Sequence, residues 1–233
     1  VWSLSPAEAE ALLLSLKVAF WSVAASLPVA IALAWVLSRC NFPGKSLLDA
    51  VVHLPLVLPP VVVGYFLLVL LGRRGAIGAL LDEYLGITLA FRWTGAALAC
   101  AVMGLPLLVR AVRQSLDSVD RGLEAAAATL GASPLWVFGS VTLPLILPGI
   151  LTGMLLSFAR SLGEFGATIT FVSNIPGETQ TLPLAIYTFT QVPGGDAQAL
   201  RLCILSIILS LAALMASEYL LRRANVRVAG RDA

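Results

Sequence analysis

Few residues in this chain are of types that do chemistry, and their spacing narrows what that chemistry can be. Arg160 and Glu164 stand four apart in RSLGEF. On a helix they share one face and can pair. The run around them is otherwise apolar, and charges at such depth face a bundle interior or a water path. Two readings stay open: a salt bridge that holds helices together, which is the simpler, and a positive waypoint for an anion. His53 is the only histidine. It precedes a proline-rich apolar run, where a packed or interfacial role fits better than catalysis or metal binding. Asp82 and Glu83 are adjacent and so point apart on a helix. Cys40, Cys100 and Cys203 are scattered, lack metal-ligand spacing, and read as small apolar packing residues. The sequence contains no GxxxxGK[ST], HExxH, GxSxG or CxxC pattern, and LGRRGAIG has no βαβ context. No catalytic constellation emerges.

The other informative stretch is Asp120 to Pro148, DRGLEAAAATLGASPLWVFGSVTLPLILP. Asp120 can cap a short helix whose first turn holds Glu124 near the positive helix end. Gly131 is placed to end it in a left-handed cap. Ser133 then caps a second helix with Pro134 at its first position, and Gly139 is the expected end. Leu135, Trp136, Val137 and Phe138 fall within about one turn. Either this apolar surface meets a partner, or it tucks back against the chain's own helices.

These residues must be positioned by membrane-spanning elements. Of 233 residues, 59% are hydrophobic and 12% charged, and the mean hydropathy is +0.93. Soluble domains carry roughly 25% charged residues, so the composition describes a multi-pass all-α membrane protein. Five spans are expected at about 12–37, 51–71, 94–112, 143–171 and 201–221. Residues 1–11 read as a polar lead-in or interfacial turn, with no removable signal peptide. Pro55, Pro59 and Pro60 predict a bent or broken second span, which either lines a cavity or serves packing. Thr181–Gln191 reads as a short outer helix, broken by 192–195. The net charge of +2 gives no argument for nucleic acid. Basic residues do set an orientation. Arg39, Lys45, Arg110, Arg113, Arg121, Arg222, Arg223, Arg227 and Arg231 fall on one side, against Arg73, Arg74, Arg92, Arg160 and Arg201 at most. The bias places the N-terminus outside, and the 120–142 loop and 222–233 tail in the cytoplasm.

Here a resemblance enters. The 120–148 stretch resembles the cytoplasmic loop of ABC-importer permeases: Glu-Ala-Ala, a Gly, then a hydrophobic residue and Leu-Pro. Gly131, Val141, Leu143 and Pro144 match in spacing, and the register puts Ala125, Ala126 and Ala127 on the first three positions, with Glu124 one residue early. FPGKSLLDAVVHLPLVLPPVVVGY and residues 160–196 resemble the molybdate-type permeases, and the likeness extends over nearly the whole chain from Leu12. Sulfate and tungstate permeases have similar patterns. The resemblance implies a type I importer permease of the bacterial cytoplasmic membrane. Its loop would couple to an ATPase through Ala125, Ala126, Gly131, Ser133, Pro134, Leu135, Trp136 and Phe138. It also implies two permease copies, two ATPase copies and an outer molybdate-binding protein, in contact with membrane lipid. This chain would hold no cofactor; ATP and magnesium would belong to the ATPase. Alternating access would carry the anion.

Two other classes compete. A membrane-embedded enzyme needs converging His, Asp or Ser groups at depth, which one near-surface histidine does not supply. An uncoupled channel or scaffold leaves the capped apolar loop helix without a role.

Overall fold

The computed structural model describes residues 4–229 and is helical, with no strand among the described residues. The chain runs α1 (Pro6–Arg39), α2 (Lys45–Val57), α3 (Pro60–Leu71), α4 (Ala76–Leu85), α5 (Trp93–Ser118), α6 (Arg121–Thr129), α7 (Pro134–Val137), α8 (Leu143–Leu162), α9 (Gly166–Val172), α10 (Leu182–Gln191) and α11 (Asp196–Ala229). Four helical stretches are long and apolar enough to cross a membrane, or five when α2 and α3 count as one broken span.

α5 sits in the middle, clasped by α1 on one side and α8 on the other. Small residues let these helices approach. A Cβ on Gly104 would collide with the Ser157 hydroxyl, and one on Gly153 would lie 2.7 Å from a Leu108 methyl. Apolar packing fills both halves of the bundle. Leu14, Val18, Cys100, Met103 and Phe171 form one cluster. Leu37, Leu108, Val112, Leu116 and Ile146 form a second, toward the α5–α8 loop, and Ala11, Leu182, Ala185 and Leu202 a smaller third. Buried hydroxyls pair across helices instead of facing lipid: Ser22 and Ser161 lie 2.9 Å apart, and Ser15 accepts from the Leu182 N–H at 2.6 Å.

Several element ends differ from the sequence expectation. α1 begins at Pro6 and not at Leu12, because Ser5 and Glu8 form a reciprocal capping box. Glu8 is buried and paired with Arg201 at 3.0 Å, so the polar lead-in is a helix start locked to α11. The second span breaks at Leu58–Pro59, with α2 and α3 meeting at 114°. Pro59 lies in that break and Pro60 opens α3, whereas Pro55 lies inside α2 without ending it. Gly139 does not end the loop helix. α7 runs through a π turn (Phe138–Thr142) into α8, giving one helical stretch from Pro134 to Leu162. α8 then stops at Leu162 instead of continuing to Phe171, and a new helix starts at Gly166. α10 starts at Leu182 with Thr181 at its cap position. α11 begins at Asp196 and runs on to Ala229; Arg231 and the end of the tail lie outside the described residues.

Candidate functional site

The loop between α5 and α8 is shaped by short-range hydrogen bonds. The Asp120 carboxylate accepts from the Gly122 N–H at 2.8 Å and starts α6. Gly131 adopts φ +85, a conformation that costs glycine little. The Ser133 hydroxyl accepts from the Trp136 N–H at 3.3 Å and caps α7, with Pro134 in its first turn. The Ser140 hydroxyl, within the π turn, donates to the Trp136 carbonyl at 2.5 Å.

One long-range tie fixes this loop to the bundle. Glu124 Oε1 accepts from Arg39 at the end of α1 (3.1 Å) and from the Thr142 hydroxyl (2.7 Å). A single carboxylate thus joins α1, α6 and the root of α8. The four apolar residues of the second loop helix divide. Leu135 and Trp136 are 85% and 59% exposed, while Val137 is buried and Phe138 half-buried against α1. Leu130, at the tip, is 89% exposed. Ala125 and Ala126 lie on the exposed side of α6. The reading in which the helix tucks back against the chain's own helices therefore holds for only part of the stretch. The bundle keeps Val137 and most of Phe138, and Leu130, Leu135 and Trp136 face outward.

The second site is the break between α8 and α9. Arg160 Nη1 lies 2.6 Å from Glu164 Oε2, so the two pair as their spacing predicts, although α8 ends between them. Glu164 is buried, and its other oxygen accepts from the Ala167 N–H at 2.8 Å. This carboxylate neutralises Arg160 and also satisfies a free N–H at the start of α9. Arg160 is itself partly exposed. The break is packed tightly against the other broken span. A Cβ on Gly64 would lie 2.5 Å from the Ala167 carbonyl oxygen, and one on Gly166 would lie 2.8 Å from Pro60. The two interruptions, at Pro59 and at Gly163–Phe165, therefore stand side by side.

His53 belongs to neither site. Its Nδ1 lies 2.8 Å from the Asp49 carbonyl oxygen, beside the Asp49–Arg113 ion pair of 2.9 Å. Cys100 is buried in the core. No group of three or more His, Cys, Asp or Glu side chains that could hold a metal ion occurs among the described residues. Sequence reasoning missed the Glu8–Arg201 and Arg39–Glu124 pairs. Their partners are far apart in the chain, and the one available signal was a lone charge beside an apolar run.

Comparison with known proteins supplies the context. The family profile described as "Binding-protein-dependent transport system inner membrane component" matches residues 26–226. The molybdenum transport system permease protein ModB of Escherichia coli (strain K12) is 61% identical over 98% of this chain and 99% of its own. The ModB of Haemophilus influenzae is 59% identical over 93% and 94%. A sulfate transport system permease, CysW of Synechococcus elongatus, is 41% identical over 76% of this chain and 62% of its own. Among solved structures, a bacterial ABC transporter involved in alginate import shares the fold (TM-score 0.73, 17% identity, 94% and 80% coverage). The inward-facing MetNI methionine ABC transporter does so as well (TM-score 0.65, 17% identity, 93% and 94% coverage).

Proposed function

The chain belongs to the inner-membrane components of binding-protein-dependent transport systems, and from that premise we propose that it is the permease subunit of a molybdate importer driven by a separate ATPase. It is a transport subunit and not an enzyme. The observation that carries the coupling role is the outward apolar surface of Leu130, Leu135 and Trp136 on a loop held rigid by its own caps. Exposed aromatic and aliphatic side chains on a fixed helix suit a groove on a partner. ATP and magnesium belong to that partner. The excess of basic residues on the loop side puts the loop in the cytoplasm, where the ATPase is. A reporter fused after Arg223 then reads cytoplasmic, and one fused at Gly177 reads external; both on one side would rule out this topology.

Five spans make a thin wall around an anion, so the path lies between two copies related by a two-fold axis. ATP binding draws the loops together, the helices rock, and an outer binding protein releases its anion into the cavity. Arg160 at the α8–α9 break is the residue we place beside that path. Its partial exposure and its immediate partner suit a neutralised structural pair that borders water.

The test is reconstitution. The chain is placed in liposomes with its ATPase and binding protein, and uptake of radiolabelled molybdate is followed with and without ATP. ATP-dependent uptake that tungstate competes for, and sulfate does not, supports the molybdate reading. Preferential competition by sulfate would transfer the chain to the sulfate class, and uptake independent of ATP would reject the importer.

A further inference from the structure

The helical stretch from Pro134 to Leu162 joins the outward face of the loop to the α8–α9 break, and its weakest part lies close to the loop. The π turn (Phe138–Thr142) widens the helix there, with the Leu143 N–H donating to the Phe138 carbonyl. Gly139 lies inside that turn. A Cβ on it would meet nothing within 4 Å, so crowding does not call for glycine at this position. What glycine supplies is backbone freedom. Pro144 and Pro148 follow, and neither has an N–H with which to close the ladder at the start of α8. A helix interrupted in these ways bends. Left to itself, the stretch would let a push on Leu135 and Trp136 tilt α7 without moving α8.

Glu124 spans this weak segment from the side. It stands on α6, on the loop side of the bend, and accepts from the hydroxyl of Thr142, where the π turn meets α8. Thr142 is 2% exposed, which shields its hydroxyl from competing water. The same carboxylate oxygen holds Arg39 at the end of α1. We propose that Glu124 is the positioning residue through which motion of the loop reaches the membrane spans. Its strap onto Thr142 makes the loop and α8 move as one body, and its bond to Arg39 carries the end of α1 with them. The displacement then arrives at the Arg160 break, about 30 Å farther along the helix. The inference rests on the reading that an ATPase engages the loop, and it adds what turns that engagement into movement of the spans.

The test reconstitutes the chain with its ATPase and binding protein and measures molybdate taken up per ATP hydrolysed. Thr142→Val cuts the strap and keeps the side chain's shape. It lowers that ratio roughly tenfold, while ATPase co-purification and ATP hydrolysis stay at wild-type levels. Thr142→Ser keeps the hydroxyl and with it the ratio. Gly139→Ala stiffens the π turn in open space, and in the Thr142→Val background it restores most of the lost ratio. A bond that served stability alone would show as lost permease yield and would gain no coupling from Gly139→Ala. Glu124→Met with Arg39→Met cuts the strap from α6 without stranding a charge, and it decides the question if Thr142→Val fails to reach the membrane. An unchanged ratio in these variants, or no recovery with Gly139→Ala, overturns the proposal. So does loss of ATPase co-purification in Thr142→Val, because the bond then shapes the docking face and does not transmit its motion. A wild type that retains no ATPase rejects the importer reading itself, and the proposal with it, before any variant is compared.

Discussion

The α5–α8 loop and the α8–α9 break are both interruptions of spanning helices, and they are built in opposite ways. The loop takes its shape from neighbours in sequence: Asp120, Gly131 and Ser133 cap and turn it within a few residues, and one carboxylate, Glu124, ties it down. It leaves Leu130, Leu135 and Trp136 facing outward. The break turns its carboxylate inward, while Arg160 stays partly exposed. Its carboxylate is buried, both carboxylate oxygens are engaged, and glycines at 64 and 166 bring it against α3. A surface that meets another molecule can be fixed locally and left unfilled. A charged interruption in the membrane must be satisfied from within the same fold, because lipid offers its polar groups nothing.

The contrast breaks most readily at the break itself. Glu164→Ala strands Arg160 and frees the Ala167 N–H, and removal of one member of a buried pair costs about 3–5 kcal/mol. Little protein should reach the membrane, as read by immunoblot. Glu164→Gln and Arg160→Gln should each lower uptake per permease, and the double variant should recover part of the loss. Additive losses in the double variant would sink the pairing. If Arg160→Gln alone abolished uptake at normal protein level while Glu164→Gln had no effect, Arg160 would be a waypoint and not a structural partner.

Next in size is Gly64→Leu. Its Cβ would press on the backbone at Ala167, and overpacking of this kind costs roughly 1–3 kcal/mol. A lower melting temperature in detergent is expected, and Gly64→Ala should fall between it and the wild type. An unchanged melting temperature in both would mean that α3 and α9 are not held in close contact.

The same contrast explains what could be read from the sequence. Helical class, spans and loop caps follow from runs, periodicity and local side-chain chemistry. The Gly131 turn and the Ser133 cap needed no tertiary information. The end of α8 at Leu162 did need it, since an apolar, β-branched run such as ATITFV can continue a helix or begin a new one. What decides is the Glu164 carboxylate turning onto the Ala167 N–H while Gly166 lies against Pro60. Gly139 erred in the other direction. Glycine is a signal for ending a helix only where φ turns positive, and here the chain continues through a π turn into α8. The Glu8–Arg201 pair joins residues at opposite ends of the chain, and no pattern within either segment points to the other.

A smaller effect would sharpen the account of the loop. Ser133→Ala removes the cap of α7, worth about 1 kcal/mol. Permease yield should hold, while hydrogen exchange quickens in residues 134–138. No change in exchange would mean that the π turn and α8, not the cap, hold α7 in place.

The central claim is that the outward face of the loop is where the motor engages, and paired substitution there tests it most directly. Leu135→Asp with Trp136→Asp keeps every bond that ties the loop to the bundle and places two charges on the docking face. Desolvated aromatic anchors carry about 2 kcal/mol or more of interface energy, so co-purification of the ATPase should fall at least roughly tenfold. Permease yield and melting temperature should remain those of the wild type. Full co-purification with undiminished ATP-driven molybdate uptake in this variant would contradict the account.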